Sequence, residues 1–472
     1  MLVLALESST TSAKALLYDS QKGVVRSESV PYSPRISRNG IYDTEAVYQC
    51  VMEVGRRVAH GQDIAAVALG CVWHSVAVCD SHMNALGNTY SWNCVIAKET
   101  CRQTRADAAI TEKLYQNTGC IPHSSYVRET LRHLHANGLK LQDKIFPSQG
   151  SYQYYRMTGV FLESLNLLCG AGMMNVHTED FDPFALEYAS VRSDQFGAKA
   201  RYTDVHPLKE EAARTLGIAS GIPVVPAHAD GALNQIASCS AAVGRMSFSV
   251  GTSGAIRMTT ERPTLSEGHH VWSYFGITDW ISGAATSGAC NCIDWFRKNF
   301  APNMNYAELE SAEETQANPP VFMPFLFGER NPGWSDDRAG GFVNLRGTHG
   351  IHEMYRAVQM GVLFNLYQCY EALVREVGVP KEINLSGGIL NSGRWTQMAA
   401  DIFAAPMRCA KNLNASSVGA AILALHAAGA IKDVRSYAPD DAETKIIFPR
   451  EAFRDYYQSL FAQYLRYYAS TP

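Results

Sequence analysis

Two short apolar runs joined by a turn of Ser, Thr and Gly occur twice in this chain, once near the start and once past its middle. In the first copy residues 2–6 and 14–18 flank Glu7-Ser8-Ser9-Thr10-Thr11-Ser12; in the second, residues 247–250 and 255–258 flank Gly251-Thr252-Ser253-Gly254. Apolar runs bounded by residues that permit tight turns predict β-hairpins. Such a turn presents uncommitted backbone N–H groups and hydroxyls with no large side chain between them, which suits an oxyanion. A chain carrying two of them is expected to fold as two related lobes gripping one polyphosphate.

The bulk properties agree with that expectation. At 472 residues the chain exceeds the usual size of a single core. A hydrophobic content of 46% with 18% charged residues is that of a globular protein. The net charge of −4 and the absence of Lys/Arg runs exclude a surface devoted to nucleic acid. No apolar stretch reads as a membrane span, and the first residues enter a strand pattern without a basic or cleavable leader, so a cytoplasmic protein is expected. The twelve cysteines are scattered, with only Cys290 and Cys292 closely spaced and no CxxC pair. Free, mostly buried thiols are expected rather than disulfides or a metal site.

Along the chain, residues 23–32 predict a third strand, 44–60 a helix with Val47, Val51, Val54 and Val58 on one stripe, and 64–69 and 75–79 further strands. Residues 97–115 read as one polar helix and 180–207 as a loop-rich stretch. A strand over 222–227 runs into Ala229-Asp230-Gly231, and a helix of small residues follows. The lobe boundary is placed in that helix, giving lobes 1–240 and 241–472. The second lobe adds strands at 271–274, 280–282 and 383–385, with helices at 290–300, 351–377, 394–403, 417–426 and 453–468. Meander followed by helices in both halves predicts an α/β architecture with internal duplication.

Asp230 sits at a strand end, where α/β proteins bind ligands. There it can take a proton from a hydroxyl or help hold Mg²⁺, or it can simply cap the helix. Glu7 stands beside the first turn, placed for a metal or its waters or else a solvated turn carboxylate. Lys14, on the next strand, can approach a phosphate or be exposed. Gly387-Gly388 after a strand resembles half a nucleotide loop, a weak signal by itself. His74 and Trp92 are candidate sugar contacts or ordinary core residues. Glu329-Arg330, between an apolar run and Pro332, is expected to be a structural ion pair. No Walker A pattern, nucleophile elbow or Gly-x-Gly-x-x-Gly is present, which excludes a P-loop NTPase, an α/β hydrolase and a dinucleotide oxidoreductase.

The order of these motifs resembles the FGGY carbohydrate kinases of the actin-like ATPase superfamily over nearly the whole chain. The resemblance runs through Thr10-Thr11-Ser12-Ala13-Lys14, Ala229-Asp230-Gly231 and Val250-Gly251-Thr252-Ser253-Gly254. It continues in Gly328-Glu329-Arg330-Asn331-Pro332, Arg356-Ala357-Val358, Ser386-Gly387-Gly388, Met398-Ala399-Ala400-Asp401 and Val418-Gly419-Ala420-Ala421. It implies two ribonuclease H-like lobes with a cleft between them, and ATP-dependent phosphorylation of a sugar or sugar-acid hydroxyl. Asp230 is then the general base, and Glu7 with Asp230 lies near Mg²⁺. Ser9, Thr10, Thr11, Ser12 and Lys14, with Gly251, Thr252 and Ser253, are implied to cradle phosphates, and Gly387, Gly388 and Asn391 to line the adenosine site. The substrate side is implied to hold His74, Ser75, Trp92, Asn93 and Asp230. The implied partner is a small sugar or sugar acid, without nucleic acid or membrane, and the assembly compatible with the resemblance is a homodimer.

Trp73-His74-Ser75 and Gly254-Ala255-Ile256-Arg257 resemble gluconokinase-like members, whereas xylulokinases carry Met-His-Gly at the first place. Departures from the family pattern are Glu7-Ser8-Ser9 for Asp-x-Gly, Trp92-Asn93-Cys94 for Trp-Ala-Asp, and Met360 and Asn414 where the family has Glu. The alternatives are a ketopentose kinase such as a xylulokinase, or a degenerate member that binds ligand without turnover.

Overall fold

Both predicted hairpins form, each at the centre of its own sheet, in the computed structural model, which describes residues 1–312, 318–409, 415–435 and 444–470. Asn414 lies outside the described residues. In the first sheet β1 (Leu2–Ser8) pairs antiparallel with β2 (Ser12–Asp19), from Leu2 opposite Asp19 to Ser8 opposite Ala13. The unbroken apolar run of β1 is explained by its place: strands flank it and helices cover both faces, so neither face meets water. The strands β3 (Gly23–Pro31), β4 (Ile64–Cys71) and β5 (Pro223–Ala229) give the order β3-β2-β1-β4-β5, and the short strand His206–Pro207 lies at the edge beyond β5. β3 is antiparallel to β2, while β4 and β5 run parallel to β1.

The second sheet repeats this plan. β6 (Arg245–Val250), β7 (Gly254–Thr260), β8 (Trp280–Thr286), β9 (Glu382–Ser386) and β10 (Met407–Cys409) are ordered β8-β7-β6-β9-β10. The antiparallel and parallel pairings fall at the same places as in the first sheet. The strand Trp272–Phe275, next in sequence after β7, lies at the outer edge instead, beyond β8. The internal duplication expected from the two hairpins is therefore a duplication of whole sheets.

Helices cover the sheets. The first, α1 (Thr44–Ala59), starts at Asp43, whose carboxylate accepts from the Ala46 N–H at 2.9 Å, and it buries the predicted valine stripe. After β5 comes α2 (Asp230–Ala237); in the second lobe α3 (Ile351–Val377) is the long helix. The helix α4 (Ala415–Ala427) behaves differently: although it follows β10, it packs on α2, β1 and β4 of the first lobe. Val418, Ile422, Leu423 and Leu425 belong to that lobe's core, as do Trp272 and Tyr274. From Ser417 to Leu425 every residue of the helix is buried, and its predominantly apolar surface finds that cover against α2, β1 and β4. Each of its buried large aliphatics contributes about 1.5–3 kcal/mol, which ties this helix to the first lobe, whereas the last helix, Arg454–Ser470, packs in the core of the second.

Three local expectations change. The single helix over 97–115 is two, Lys98–Arg105 and Ala108–Thr118, because Asp107 caps the second by accepting from the Ala109 and Ile110 N–H groups. The stretch 180–207 contains the helix Pro183–Ala189, started by Asp182 and by proline at its first turn. Glu329 does not pair with Arg330; its partner is Arg338 at 3.0 Å, and Tyr468 donates to it at 2.6 Å. All twelve cysteines are free thiols, most of them buried, as expected. Among the described residues no helix is long and apolar enough to cross a membrane.

Candidate active site

The carboxyl ends of β1, β5, β6 and β9 converge on one cavity of about 390 Å³ between the lobes, which Glu7, Asp230, Ser249 and Ser386 line from those four strands. Ligands collect at such ends because the loops there diverge and backbone groups come free.

Both hairpin tips reach the cavity, with Ser9, Thr10, Thr11 and Lys14 on one side and Gly251, Thr252 and Ser253 on the other. The first tip is held by its carbonyls and side chains. Tyr42 donates to the Thr10 carbonyl at 3.0 Å, Trp92 Nε1 to Thr10 Oγ1 at 3.0 Å, and the Tyr32 N–H to the Thr11 carbonyl at 2.8 Å. Ser9 folds its hydroxyl back onto the Ser12 carbonyl at 2.8 Å, so Ser12 closes the base of the turn and stays out of the cavity lining. In the second tip the N–H groups of Cys290 and Asn291 take the carbonyls of Gly251 and Thr252 at 2.8 and 3.3 Å. Among the described residues nothing accepts from the N–H of Thr10, Thr11, Thr252 or Ser253. With carbonyls occupied and amides open, both tips are oriented for anions.

Two carboxylates face this cradle. Glu7 is almost fully buried and saturated: Lys14 Nζ donates to Oε1 at 3.0 Å, and Ser416 and Ser417 donate to Oε2 at 2.8 and 2.6 Å. Asp230 opens α2, where the helix dipole favours a negative charge, and its Oδ1 accepts from the Gly231 N–H at 2.7 Å. Burial, and next the charge of Glu7, push the Asp230 carboxyl above its usual range, while Arg257 and Lys14 act against them. Two oxygen-only carboxylates suit a hard cation that keeps several waters. Among the described residues no group of three or more His, Cys, Asp or Glu is placed to hold a metal, so Mg²⁺ would need waters and a ligand's phosphates beside Glu7 and Asp230.

On the second lobe's side, Gly387 lines the cavity with φ +97°, and a Cβ there would stand 2.4 Å from the Val250 carbonyl oxygen. The absence of a side chain lets the β9 turn lie directly on the second hairpin. Gly388 and Asn391 are exposed in the following turn, outside the cavity lining. Two buried polar atoms that border the cavity, Ser386 Oγ and Asn234 Oδ1, have no hydrogen-bond partner, the mark of groups awaiting a ligand or water.

The expected substrate residues are dispersed. Trp92 lines the cavity. His74 is buried against Trp73, Tyr126 and Tyr274 and donates from Nδ1 to the Gly170 carbonyl at 2.5 Å. Burial, and next Arg330, lower its pKa to about 3, so the ring is neutral and Nε2 is left as an acceptor. Ser75 accepts from the Gln149 N–H at 3.2 Å, and Asn93 is exposed beside Gly40. None of these three lines the cavity.

Several lining residues were not anticipated. Asn234 stands one helical turn after Asp230, so the helix period alone places it on the same face. Ser249 alternates with Phe248 along β6, a signal of equal kind. Ser416 comes from α4, and no local pattern in the sequence points to it.

Residues 2–237 match the N-terminal domain of the FGGY family of carbohydrate kinases, and residues 246–428 match its C-terminal domain. A gluconokinase of Bacillus subtilis (strain 168) is 27% identical over 91% of this chain and 88% of its own length. A solved gluconate kinase from Lactobacillus acidophilus superposes with a TM-score of 0.91 at 26% identity, covering 100% of this chain and 98% of its own. A ligand-bound xylulose kinase from the same organism gives 0.91 and 26%, covering 99% and 98%. With duplicated sheets, a cleft between them and both family domains matched, the chain belongs to the FGGY family of carbohydrate kinases, phosphotransferases of the two-lobed actin-like ATPase fold.

Proposed function

We propose that this kinase transfers the γ-phosphoryl group of ATP to a hydroxyl of a small sugar or sugar acid, a gluconate-like acid in preference to a ketopentose. The observation that carries the reading is the convergence of both hairpin tips and Asp230 on one cavity. Asp230 serves as the general base, accepting the proton of the attacking hydroxyl. Its raised affinity for a proton, set by burial and Glu7, suits that task better than an ordinary solvated carboxylate. The free amides of Thr10, Thr11, Thr252 and Ser253 hold phosphate oxygens from both lobes, and Lys14 adds positive charge beside them. Phosphoryl transfer asks for this kind of positioned donor more than for a strong base.

Kinases of this family use ATP, typically with Mg²⁺. Here the ion would neutralise charge on the transferred group, with Asp230 and Glu7 facing it. Because Lys14, Ser416 and Ser417 already occupy Glu7, its part is to orient the ion's waters rather than to bind the ion directly. Gly387, Gly388 and Asn391 border the place where the nucleoside emerges. Trp92 closes the substrate side, with His74 and Ser75 behind it.

Preference for a sugar acid rests on the motifs Trp73-His74-Ser75 and Gly254-Ala255-Ile256-Arg257 and on likeness to a gluconokinase over 91% of the chain. The ketopentose alternative rests on the equal structural likeness to a xylulose kinase. A coupled ADP-release assay with Mg²⁺-ATP against D-gluconate, D-xylulose and neutral polyols separates them. Turnover on D-gluconate alone supports the first, turnover on D-xylulose the second, and ATP binding without sugar-dependent ADP release returns the chain to a binder without turnover.

A further inference from the structure

Two arginines beside this site lack a counter-ion. Arg257 projects from β7; its guanidinium donates to Ser249 Oγ at 3.2 Å, and its Nε is buried with no partner. It lies against the Asp230-Gly231 segment, where a Cβ on Gly231 would come within 3.1 Å of Nε. Arg330 follows the Gly328-Glu329 turn, with its Cζ 5.8 Å from the centre of the Trp92 ring and its Nε also buried and unpartnered. Among the described residues neither makes an ion pair. Glu329, the neighbour expected to neutralise Arg330, is taken by Arg338, Tyr468 and the Gly333 N–H.

The charges do not balance without a ligand. Lys14 and Glu7 cancel each other. His74 and His228 are both lowered by burial to about 3 and stay neutral. Arg257 then has Asp230 as its one neighbouring carboxylate, which must remain available for the reacting hydroxyl, and Arg330 has Arg257 rather than an acid beside it. Leaving a buried guanidinium Nε–H without an acceptor is costly, and a planar carboxylate is the best geometric match for it. Neither arginine is among the residues lining the cavity, but each touches one that is: Arg257 donates to Ser249, and Arg330 stands over the Trp92 ring.

We propose that Arg257 and Arg330 recognise a carboxylate on the acceptor, making an aldonic acid the substrate class, with its acid group on the arginines and its reacting hydroxyl at Asp230. This rests on the kinase reading above. It adds a specificity determinant that the phosphate cradle does not supply.

The test compares D-gluconate with D-glucitol, which differs by a CH₂OH in place of the carboxylate. Wild-type enzyme is expected to bind D-gluconate more tightly by titration calorimetry and to turn it over with the higher kcat/KM. Arg257→Met and Arg330→Met should each reduce the gluconate-to-glucitol ratio of kcat/KM by roughly 10- to 100-fold, through KM for the acid, the range expected for a charged hydrogen bond. Arg330→Lys should recover part of the ratio. An unchanged ratio in both Met variants, or equal wild-type binding of acid and polyol, overturns the assignment; the calorimetric comparison stands even if a variant misfolds. Equal losses on both acceptors would mean that the arginines serve the transferred phosphoryl group, which also overturns it. No sugar-dependent ADP release from wild-type enzyme with any compound would instead remove the kinase reading on which the assignment depends.

Discussion

Replacing Gly387 with Ala is expected to disable the nucleotide side of the site while leaving Asp230 untouched. Gly387 has φ +97° and ψ −166°, a region open essentially to glycine alone, where any side chain costs about 1–3 kcal/mol in backbone strain. Sterics add to that. The new Cβ would stand 2.4 Å from the Val250 carbonyl oxygen, 2.7 Å from its carbon and 3.1 Å from the Gly251 nitrogen, whereas ordinary contact begins at 3.4 Å. These neighbours are backbone, so no rotamer change relieves the overlap. Either the turn after β9 or the second hairpin must move by about 1 Å, the shortfall from ordinary contact. A shift of that size in a positioned site costs on the order of 100-fold in rate. Gly393→Ala is the control, because a Cβ there would meet nothing within 4 Å. The assay is steady-state ADP release at varied ATP, with urea unfolding of both variants. Gly387→Ala should lose about 100-fold in kcat/KM for ATP and about 1–3 kcal/mol in stability, with Gly393→Ala near wild type. Wild-type kcat/KM and stability in Gly387→Ala would refute the argument that the two segments are locked together by this contact.

Asp230→Asn should lower kcat by roughly 100- to 10,000-fold, the usual share of a general base, with ATP binding retained in a fluorescence titration. The same change should not destabilise the unliganded fold. The folded-state pKa of Asp230 is raised, so ionisation opposes folding above the unfolded value and removing the charge helps at pH 7; a clear fall in unfolding temperature would contradict this. For activity the sign is opposite: the base works ionised, so kcat/KM should decline on acidification through a value above the ordinary carboxylate range. Glu7→Gln, which removes one cause of the raised pKa, should move that acid limb to lower pH, and a pH profile displaced upward would contradict the coupling. Lys14→Met leaves Glu7 buried without its counter-charge and should cost about 3 kcal/mol in urea unfolding, the low end for a broken buried pair because Lys14 is partly exposed.

How much of this was legible in the chain depends on the range of the interaction involved. The two hairpins, the strand-to-helix turn at Asp230 and the Gly387 turn are encoded within a few residues each, by alternation, turn chemistry and helix period. They appear in the structure where the sequence predicts them. Asn234 could have joined them, since it repeats Asp230 one turn later. The splitting of residues 97–115 was also local, and Asp107 was the overlooked cap.

Other features are decided only by packing. Glu329 and Arg330 are adjacent and oppositely charged, yet adjacent residues on an extended turn point apart, and Glu329 finds Arg338 and Tyr468 instead. The strand after β7 goes to the sheet edge, and β8 takes the inner place, a choice made by the burial of Trp272 and Tyr274 in the first lobe's core. Ser416 and Ser417 meet Glu7 across 409 and 410 residues because the buried stretch that follows them in α4 packs against α2, β1 and β4 of the first lobe. The sequence by itself determined the parts: two hairpins with Ser/Thr-rich tips, a carboxylate at a strand end and a duplicated α/β plan, all written in short-range hydrogen-bonding and periodicity. The tertiary structure decided how those parts are charged and closed, because the partners found by Glu7 and Glu329, and those denied to Arg257 and Arg330, are set by which surfaces can be buried together, a property of the whole fold.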